Sequence, residues 1–317
     1  MKRFFNPHLR KARRTLWDLF LWKIGYYDDP IPRLAPPADF FYPAQSHPFD
    51  PQMPSAFWIG HSSFLIEING ITILTDPVWD EYCSPIPFKS LKRRHDPPIP
   101  LGDLPPIDYV LISHNHYDHL DAKTVAHLHK FHPEIQWIVP LGLIPWFKRR
   151  KIKRVIELDW WQSHETPDCM ITAVPTQHFS GRSLWDKNKT FWNGYVVEFT
   201  DPADFRKRLY FTGDTGYNEI DFKAIGTKWP YMDLSLIPIG TYVPKQFMQP
   251  VHCSPREAVD IHMDVKSRLS LGMHWKTFCL SEEPMNRPPY DLYLAMRDKN
   301  LPYETFLPID PGTYVNW

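Results

Sequence analysis

Leu111-Ile112-Ser113-His114-Asn115-His116-Tyr117-Asp118-His119-Leu120-Asp121 leads from an apolar strand into a polar loop, and then toward a helix. The loop carries three histidines and an aspartate within six residues. On an extended backbone His114 and His116 point to one side, and Asp118 and His119 follow at the turn into the helix, within reach of a second point close by. A solvated His-rich loop is the bland alternative, but a polar cluster directly behind a buried strand has no packing purpose. Imidazoles and a carboxylate at this spacing suit zinc, and they suit two ions better than one.

A dinuclear site needs ligands from elsewhere, and metal-competent residues stand just beyond other apolar runs. His178 follows Ile171–Gln177, Asp214 follows Leu209–Gly213, and His274 follows Leu269–Met273. If these runs are strands, the three residues gather on one edge of the sheets. His127, His129 and His132 are spread along a helix and its end, and are too scattered to share a metal.

Short runs rich in β-branched and aromatic residues read as strands at 64–68, 71–74, 109–112, 136–139, 170–174, 194–199, 209–211 and 234–237, with Asn69-Gly70 as a hairpin turn. Residues 122–131 and 255–264 read as helices. Ser254, Pro255 and Glu257 have the order of a capping box. Strands in blocks with helices between the later ones suggest two packed sheets with helices outside, within one domain.

Thirty-six basic and 36 acidic residues leave a formal net charge of zero, which argues against a broadly cationic nucleic-acid binder. Four scattered cysteines (Cys83, Cys169, Cys253, Cys279) include no CxxC pair, so a reducing, cytoplasmic compartment is expected. No apolar run approaches the ~20 residues of a membrane span, and no signal peptide is apparent.

The charge is nevertheless uneven. Residues 1–27 form an arm in which Lys2, Arg3, Arg10, Lys11, Arg13, Arg14 and Lys23 face one acid, Asp18, with Leu16, Trp17, Leu19, Phe20, Leu21, Trp22 and Ile24 behind the basic run. The rest of the chain therefore carries six more acids than bases. Basic residues followed by Trp, Phe and Leu suit an interfacial helix, and equally a helix packed on the protein's own surface. Residues 28–55 are a proline-dense connector (Pro30, Pro32, Pro36, Pro37, Pro43, Pro48, Pro51, Pro54), extended and not helical. Residues 56–317 form the body.

These motifs, with Trp58-Ile59-Gly60-His61-Ser62-Ser63 leading to Thr75-Asp76-Pro77, resemble the metallo-β-lactamase-fold hydrolases from Phe57 to the C-terminus. The runs Ser113–Asp121, Val139–Leu143, Val155–Trp161, Phe211–Tyr217, Ile237–Tyr242, Phe247–Met248 and His274–Phe278 narrow the resemblance to the branch containing N-acylphosphatidylethanolamine-hydrolysing phospholipase D. The resemblance implies an α/β fold, a four-layered αββα sandwich with metals at the sheet edge. It makes His114, His116 and His178 ligands of one metal, Asp118, His119 and His274 ligands of the other, and Asp214 a bridge. Asp76 and Asp121 become outer residues that orient ligands, while His61 suits such a role and equally a buried hydrogen-bonded turn. His252 becomes a substrate-side histidine and, with Asp118, a catalytic residue, while Tyr242 and Phe247 join His252 in contacting substrate. The loop 79–105, with Lys89, Lys92, Arg93 and Arg94, and the arm are the least family-specific stretches.

The cofactor so implied is two Zn2+ per chain, with iron and manganese left open. The expected chemistry is attack of a metal-bridged hydroxide on phosphorus, releasing an N-acylethanolamine and phosphatidic acid from a phospholipid. The expected partners are that phospholipid, a membrane surface met through residues 1–27, and no nucleic acid; a homo-oligomer stays open. The competing readings are a lactonase or soluble phosphodiester hydrolase of the same fold, and a non-catalytic lipid-binding module with structural metals.

Overall fold

A computed structural model of the chain describes residues 3–9, 16–27, 34–43, 49–183, 185–200 and 207–317. Of the residues singled out above, Lys2, Arg10, Lys11, Arg13, Arg14, Pro30, Pro32 and Pro48 lie outside the described residues, as do the side chains of Leu16, Leu19 and Lys23. A short helix α1 (Leu16–Lys23) precedes the body, which begins with β1 (Ser55–Gly60), β2 (Ser63–Ile68) and β3 (Ile71–Thr75). Asn69 and Gly70, both at positive φ, make the turn between β2 and β3. There follow β4 (Tyr109–Leu111), α2 (Ala122–Phe131), β5 (Gln136–Pro140), α3 (Ile144–Lys148), β6 (Val155–Leu158), β7 (Ser163–Glu165), β8 (Cys169–Val174), β9 (Gly194–Phe199) and β10 (Lys207–Phe211). The chain ends with α4 (Glu219–Lys228), β11 (Met232–Pro238), α5 (Lys245–Met248), α6 (Pro255–Asp264), β12 (Ser267–Met273), α7 (Pro288–Asp298), β13 (Phe306–Leu307) and β14 (Tyr314–Asn316).

The strands form two seven-stranded sheets, ordered β14-β1-β2-β3-β4-β5-β6 and β13-β12-β11-β10-β9-β8-β7. Two-residue alternation decides the layers. In β2, Phe64, Ile66 and Ile68 join the core shared with the second sheet, whereas Leu65 faces the opposite way. Leu111 and Ile138 likewise point inward, while Val110, Trp137 and Val139 meet Val125, Leu128 and Phe147 of α2 and α3. On the far side Phe222, Ile225, Ala258, Val259, Ile261, Leu292 and Met296 lay α4, α6 and α7 on the second sheet. The result is the four-layered αββα sandwich of the metallo-β-lactamase fold. Burial of each large apolar side chain in the central layer contributes about 1.5–3 kcal/mol.

The expected strands are all present, most of them a residue or two longer, and both expected helices have the expected bounds. The capping box is complete, since Ser254 Oγ accepts from Glu257 N and Glu257 Oε2 accepts from Ser254 N at 2.8 Å. The helices α3, α4 and α7 and the short strands β7, β13 and β14 had no clear periodic signal. The described part of the proline-dense stretch has no helix; Tyr42 donates to the Phe306 carbonyl at 2.6 Å and Phe40 meets Tyr290 edge-on. Among the described residues no helix is long and apolar enough to cross a membrane.

β3 to β6 run parallel, as do β10 to β12. Their C-terminal ends therefore share one edge of each sheet. Close approach at that edge demands glycine at position 213, which follows β10 at φ 60°: a Cβ there would lie 2.6 Å from Ser113 Cβ, beside His114. Gly213→Ala is expected to destabilise the fold by roughly 1–3 kcal/mol through overpacking and left-handed strain, read as a lower urea midpoint. An unchanged midpoint would mean that β4 and β10 do not end this close together.

Candidate metal centre

Several strand ends at this edge deliver side chains to one place. Asp76 follows β3, His114 and His116 follow β4, His178 follows β8, Asp214 follows β10, and His274 follows β12, with His61 in the turn between β1 and β2. Nearly all are buried. His61, Asp76 and His274 are held at positive φ, a backbone region costing about 1–3 kcal/mol per non-glycine residue.

The side chains form two groups. In the first, His114 Nε2 lies 2.8 Å from His116 Nδ1, which lies 3.3 Å from His178 Nε2. In the second, His119 Nε2 and His274 Nε2 lie 3.4 and 3.6 Å from Asp118 Oδ2, and His61 Nε2 donates to that same oxygen at 3.0 Å. Asp214 stands between the groups. Its Oδ2 is 3.2 Å from His119 Nε2, 3.1 Å from His274 Nε2 and 3.7 Å from His178 Nε2. His252 lies beside it, with its Nδ1 3.8 Å from Asp214 Oδ2 and its ring 5.1 Å from that of His178.

Hydrogen bonds behind the rings set which nitrogen faces inward. His119 Nδ1 donates to Asp76 Oδ2 at 2.6 Å. His114 Nδ1 donates to Ser113 Oγ at 2.8 Å, which in turn donates to Asp76 Oδ2 at 2.5 Å. His178 Nδ1 donates to the Val251 carbonyl at 2.8 Å, and His274 Nδ1 to Thr241 Oγ1 at 3.1 Å. All four rings turn Nε2 toward the centre, whereas His116 presents Nδ1, as His252 does toward Asp214.

The electrostatics call for positive charge. Burial pushes His61 and His178 down to about 3, His116 to about 4, and His114 well below its ordinary value, so these rings are neutral at pH 7. Burial alone would also lower His119 and His274, but Asp214, with Asp118, reverses the sign and carries His274 to about 9. Burial would raise Asp118 and Asp214, yet His119 before all else holds both well below the carboxylate range. Protons on His119 and His274 thus stand where a divalent cation would put its charge. Among the described residues, buried Asp214 Oδ1 has no hydrogen-bond partner, and His119 Nε2 and His274 Nε2 have only the carboxylates of Asp214 and Asp118 opposite them; an unpaired buried polar atom costs about 1–3 kcal/mol when nothing fills its place. As lone pairs converging on a metal they are satisfied, so the donor set fits divalent ions held by nitrogen and oxygen.

Three expected site residues also have partners away from the cluster. Asp121 touches none of the clustered histidines; it caps α2 by accepting from Lys123 N at 2.9 Å and from Thr124 Oγ1, and it accepts from Asp80 N at 3.1 Å. The Tyr242 hydroxyl turns away to donate to Asp291 Oδ2 on α7 at 2.6 Å. Phe247 lies under the arm, its ring 4.8 Å from Trp22.

Four residues had drawn no functional expectation. Asn6 Nδ2 donates to the His178 carbonyl at 2.7 Å. Arg182 clamps the histidine loop, donating to the carbonyls of Asn115 at 3.0 Å and Leu120 at 2.6 Å with its guanidinium over Tyr117. Ser113 and Glu283 lie behind the rings. Only Ser113, inside the motif, had a local signal. Arg93, read as part of a variable loop, is buried and donates to the Val78 carbonyl.

Residues 72–275 match the Beta-lactamase superfamily domain, which is more than half of the chain. Over 253 residues the chain is 41% identical to N-acyl-phosphatidylethanolamine-hydrolyzing phospholipase D 1 of Caenorhabditis elegans, covering 77% of this chain and 68% of that protein. The mitochondrial N-acyl-phosphatidylethanolamine-hydrolyzing phospholipase D of Saccharomyces cerevisiae is 34% identical over 239 residues, 73% of this chain and 49% of that protein, so the chain spans about half its length. Igni18, a metallo hydrolase of the archaeon Ignicoccus hospitalis, is similar at a TM-score of 0.59 and 20% identity over 84% of this chain and 98% of that one, a likeness of fold.

Asp76 and Asp121 separate orienting from capping. Asp76→Asn is expected to weaken metal binding about 10–100-fold in chelator competition, because it degrades the support of His119 and Ser113. Asp121→Ala is expected to cost about 1 kcal/mol of stability through the lost cap and to leave metal affinity unchanged. Equal metal affinities for the two variants would overturn this division.

Proposed function

Because this chain belongs to the β-lactamase superfamily and is a metal-dependent hydrolase, we propose that it is a phosphodiesterase of phospholipase D type acting on N-acylphosphatidylethanolamine-like phospholipids. The products are an N-acylethanolamine and phosphatidic acid. The observation that carries this reading is the pair of imidazole groups joined across Asp214, in a chain 41% identical to a protein named for that hydrolysis.

His114, His116 and His178 hold one metal, and Asp118, His119 and His274 the other, with Asp214 between them; two zinc ions suit this donor set, as would iron or manganese. Such ions supply Lewis acidity toward a phosphoryl oxygen and bring the pKa of a water toward ~7. Asp118 is the open carboxylate of the cluster, with 14% of its side chain exposed against 2% for Asp214. It can therefore orient the attacking water and accept its proton. Water forms the new bond to phosphorus while the bond from phosphorus to the ethanolamine oxygen breaks. His252, at the side of the cluster, gives the departing oxygen its proton.

The arm supports a lipid substrate. Trp22 packs inward on Phe247 and donates to Glu282 Oε1 at 2.5 Å, whereas Trp17 and Tyr26 remain 64% and 69% exposed, with Phe20 and Ile24 also outward. Both roles expected for this segment are thus compatible: one face covers the body and the other presents aromatic surface to a bilayer.

Purified protein with N-acylphosphatidylethanolamine vesicles is expected to release N-acylethanolamine, and to stop when chelated. Asp118→Asn and His252→Ala are expected to lower kcat by about 10²–10⁴-fold. Metal-loaded protein that hydrolyses lactones or small phosphodiesters but not this lipid would overturn the substrate assignment. The double variant Trp17→Ala, Phe20→Ala is expected to lose vesicle binding while keeping its rate on a short-chain monomeric analogue; undiminished vesicle sedimentation would overturn the role of the arm.

A further inference from the structure

Behind His274 lies a buried carboxylate that none of the chemistry above uses. The ring leans on the loop after β11, where Thr241 Oγ1 accepts from His274 Nδ1 at 3.1 Å. That loop is strained and tight. Thr241 sits at φ 68°, and Gly240 passes so near that a Cβ would lie 2.3 Å from the His274 carbonyl oxygen. Glu283 holds the loop in this shape. Its Oε1 accepts from Thr241 N at 2.6 Å and from Ser281 Oγ at 2.7 Å, and its Oε2 accepts from Val243 N at 3.1 Å.

Glu283 is 8% exposed, and among the described residues no cation pairs with it. A buried carboxylate without a counter-ion is costly, and an apolar residue would fill the same space more cheaply. What an apolar residue lacks is two acceptor oxygens, one for Thr241 N and one for Val243 N of the same turn, with Ser281 Oγ as a further donor beside them. Glutamine would offer a single acceptor oxygen and would set an N–H₂ group against a backbone N–H. The arrangement parallels that of buried Asp76, which stands behind His119 directly and behind His114 through Ser113.

We propose that Glu283 is a positioning residue of the metal centre: through the Thr241 turn it fixes the tautomer and direction of His274, and so the affinity of the second metal. The effect passes from Glu283 to Thr241 to His274, and on to the point between Asp118 and Asp214 at which His274 Nε2 aims. The inference rests on the reading of the cluster as a metal centre, and not on the identity of the substrate.

The test is titration of the chelated full-length chain with Co2+, reading stoichiometry, affinity and the visible absorption of the bound ion. Wild type is expected to take up two equivalents. Glu283→Gln and Thr241→Val are each expected to weaken one equivalent by about 10–100-fold, the usual effect of removing a group behind a ligand, and to alter its spectrum while the other equivalent is unchanged. Thr241→Ser keeps the hydroxyl and is expected to restore both. The double variant Glu283→Gln, Thr241→Val is expected to cost no more than the worse single variant, because both act on one path. If Glu283→Gln does not fold, Glu283→Asp, which keeps the carboxylate but draws it back from Thr241 N and Val243 N, takes its place with the same expectation. Two equivalents with wild-type affinity and spectrum in the folded variants would overturn the proposal and leave the metal reading standing. A wild-type chain that binds no Co2+ would overturn both.

Discussion

The wholly buried carboxylate of Asp76 fastens the centre to the sheet. Ser113 N donates to Oδ1 at 2.7 Å, and Ser113 Oγ and His119 Nδ1 donate to Oδ2 at 2.5 and 2.6 Å. A carboxylate taken out of water is costly unless donors surround it, so the end of β3 and the loop after β4 are bound to one geometry. His114 leans on Ser113, and the direction of that ring is inherited from the same carboxylate. Because His119 and His114 belong to different groups, Asp76 sets the relation between the groups as well as the pose of each ring.

Desolvation carries the argument from geometry to chemistry. Five imidazoles and two carboxylates in nearly dry surroundings cannot all keep their solution states. Burial leaves His114 and His178 neutral, whereas His119 and His274, close to both Asp214 and Asp118, hold protons. Neutral imidazole and ionised carboxylate are the ligand forms that metals require, and a cation would displace the remaining protons. The strain at His61, Asp76 and His274 belongs to the same account. Strand ends bent into the left-handed region turn side chains toward one another where an ordinary exit would splay them apart.

The sandwich was largely legible in the sequence because its strands are short, apolar and bounded by turns, and because the alternation of Phe64-Leu65-Ile66 sorts the two faces by itself. The seven clustered ligand candidates were legible for a related reason: metal-competent residues stood just beyond apolar runs. Tyr242 and Asp121 were expected from the resemblance alone, and the partners of their polar atoms are not readable from position along the chain. The phenol finds Asp291 on α7, and the carboxylate finds the free N–H groups at the start of α2. Glu283 was invisible because its partners, Thr241 and Val243, are about forty residues away. It stands outside any cluster of metal-competent residues, and a Glu282-Glu283 pair in a polar stretch resembles many surface acids.

The N-terminal segment shows how far such long-range contacts reach. Read along the chain, residues 1–27 are a basic appendage before a proline-dense stretch, and nothing local joins them to the histidines. In space Asn6 donates to the His178 carbonyl and accepts from Trp192 Nε1 at 3.1 Å, and Phe4 stacks on Phe191 with centroids 4.6 Å apart. Trp22 reaches the other side, lying on Phe247 and bonding Glu282, the neighbour of the residue that holds the Thr241 turn. One segment therefore braces the backbone near both imidazole groups. An arm that served only as a tether would need no hydrogen bond to the carbonyl of a candidate ligand.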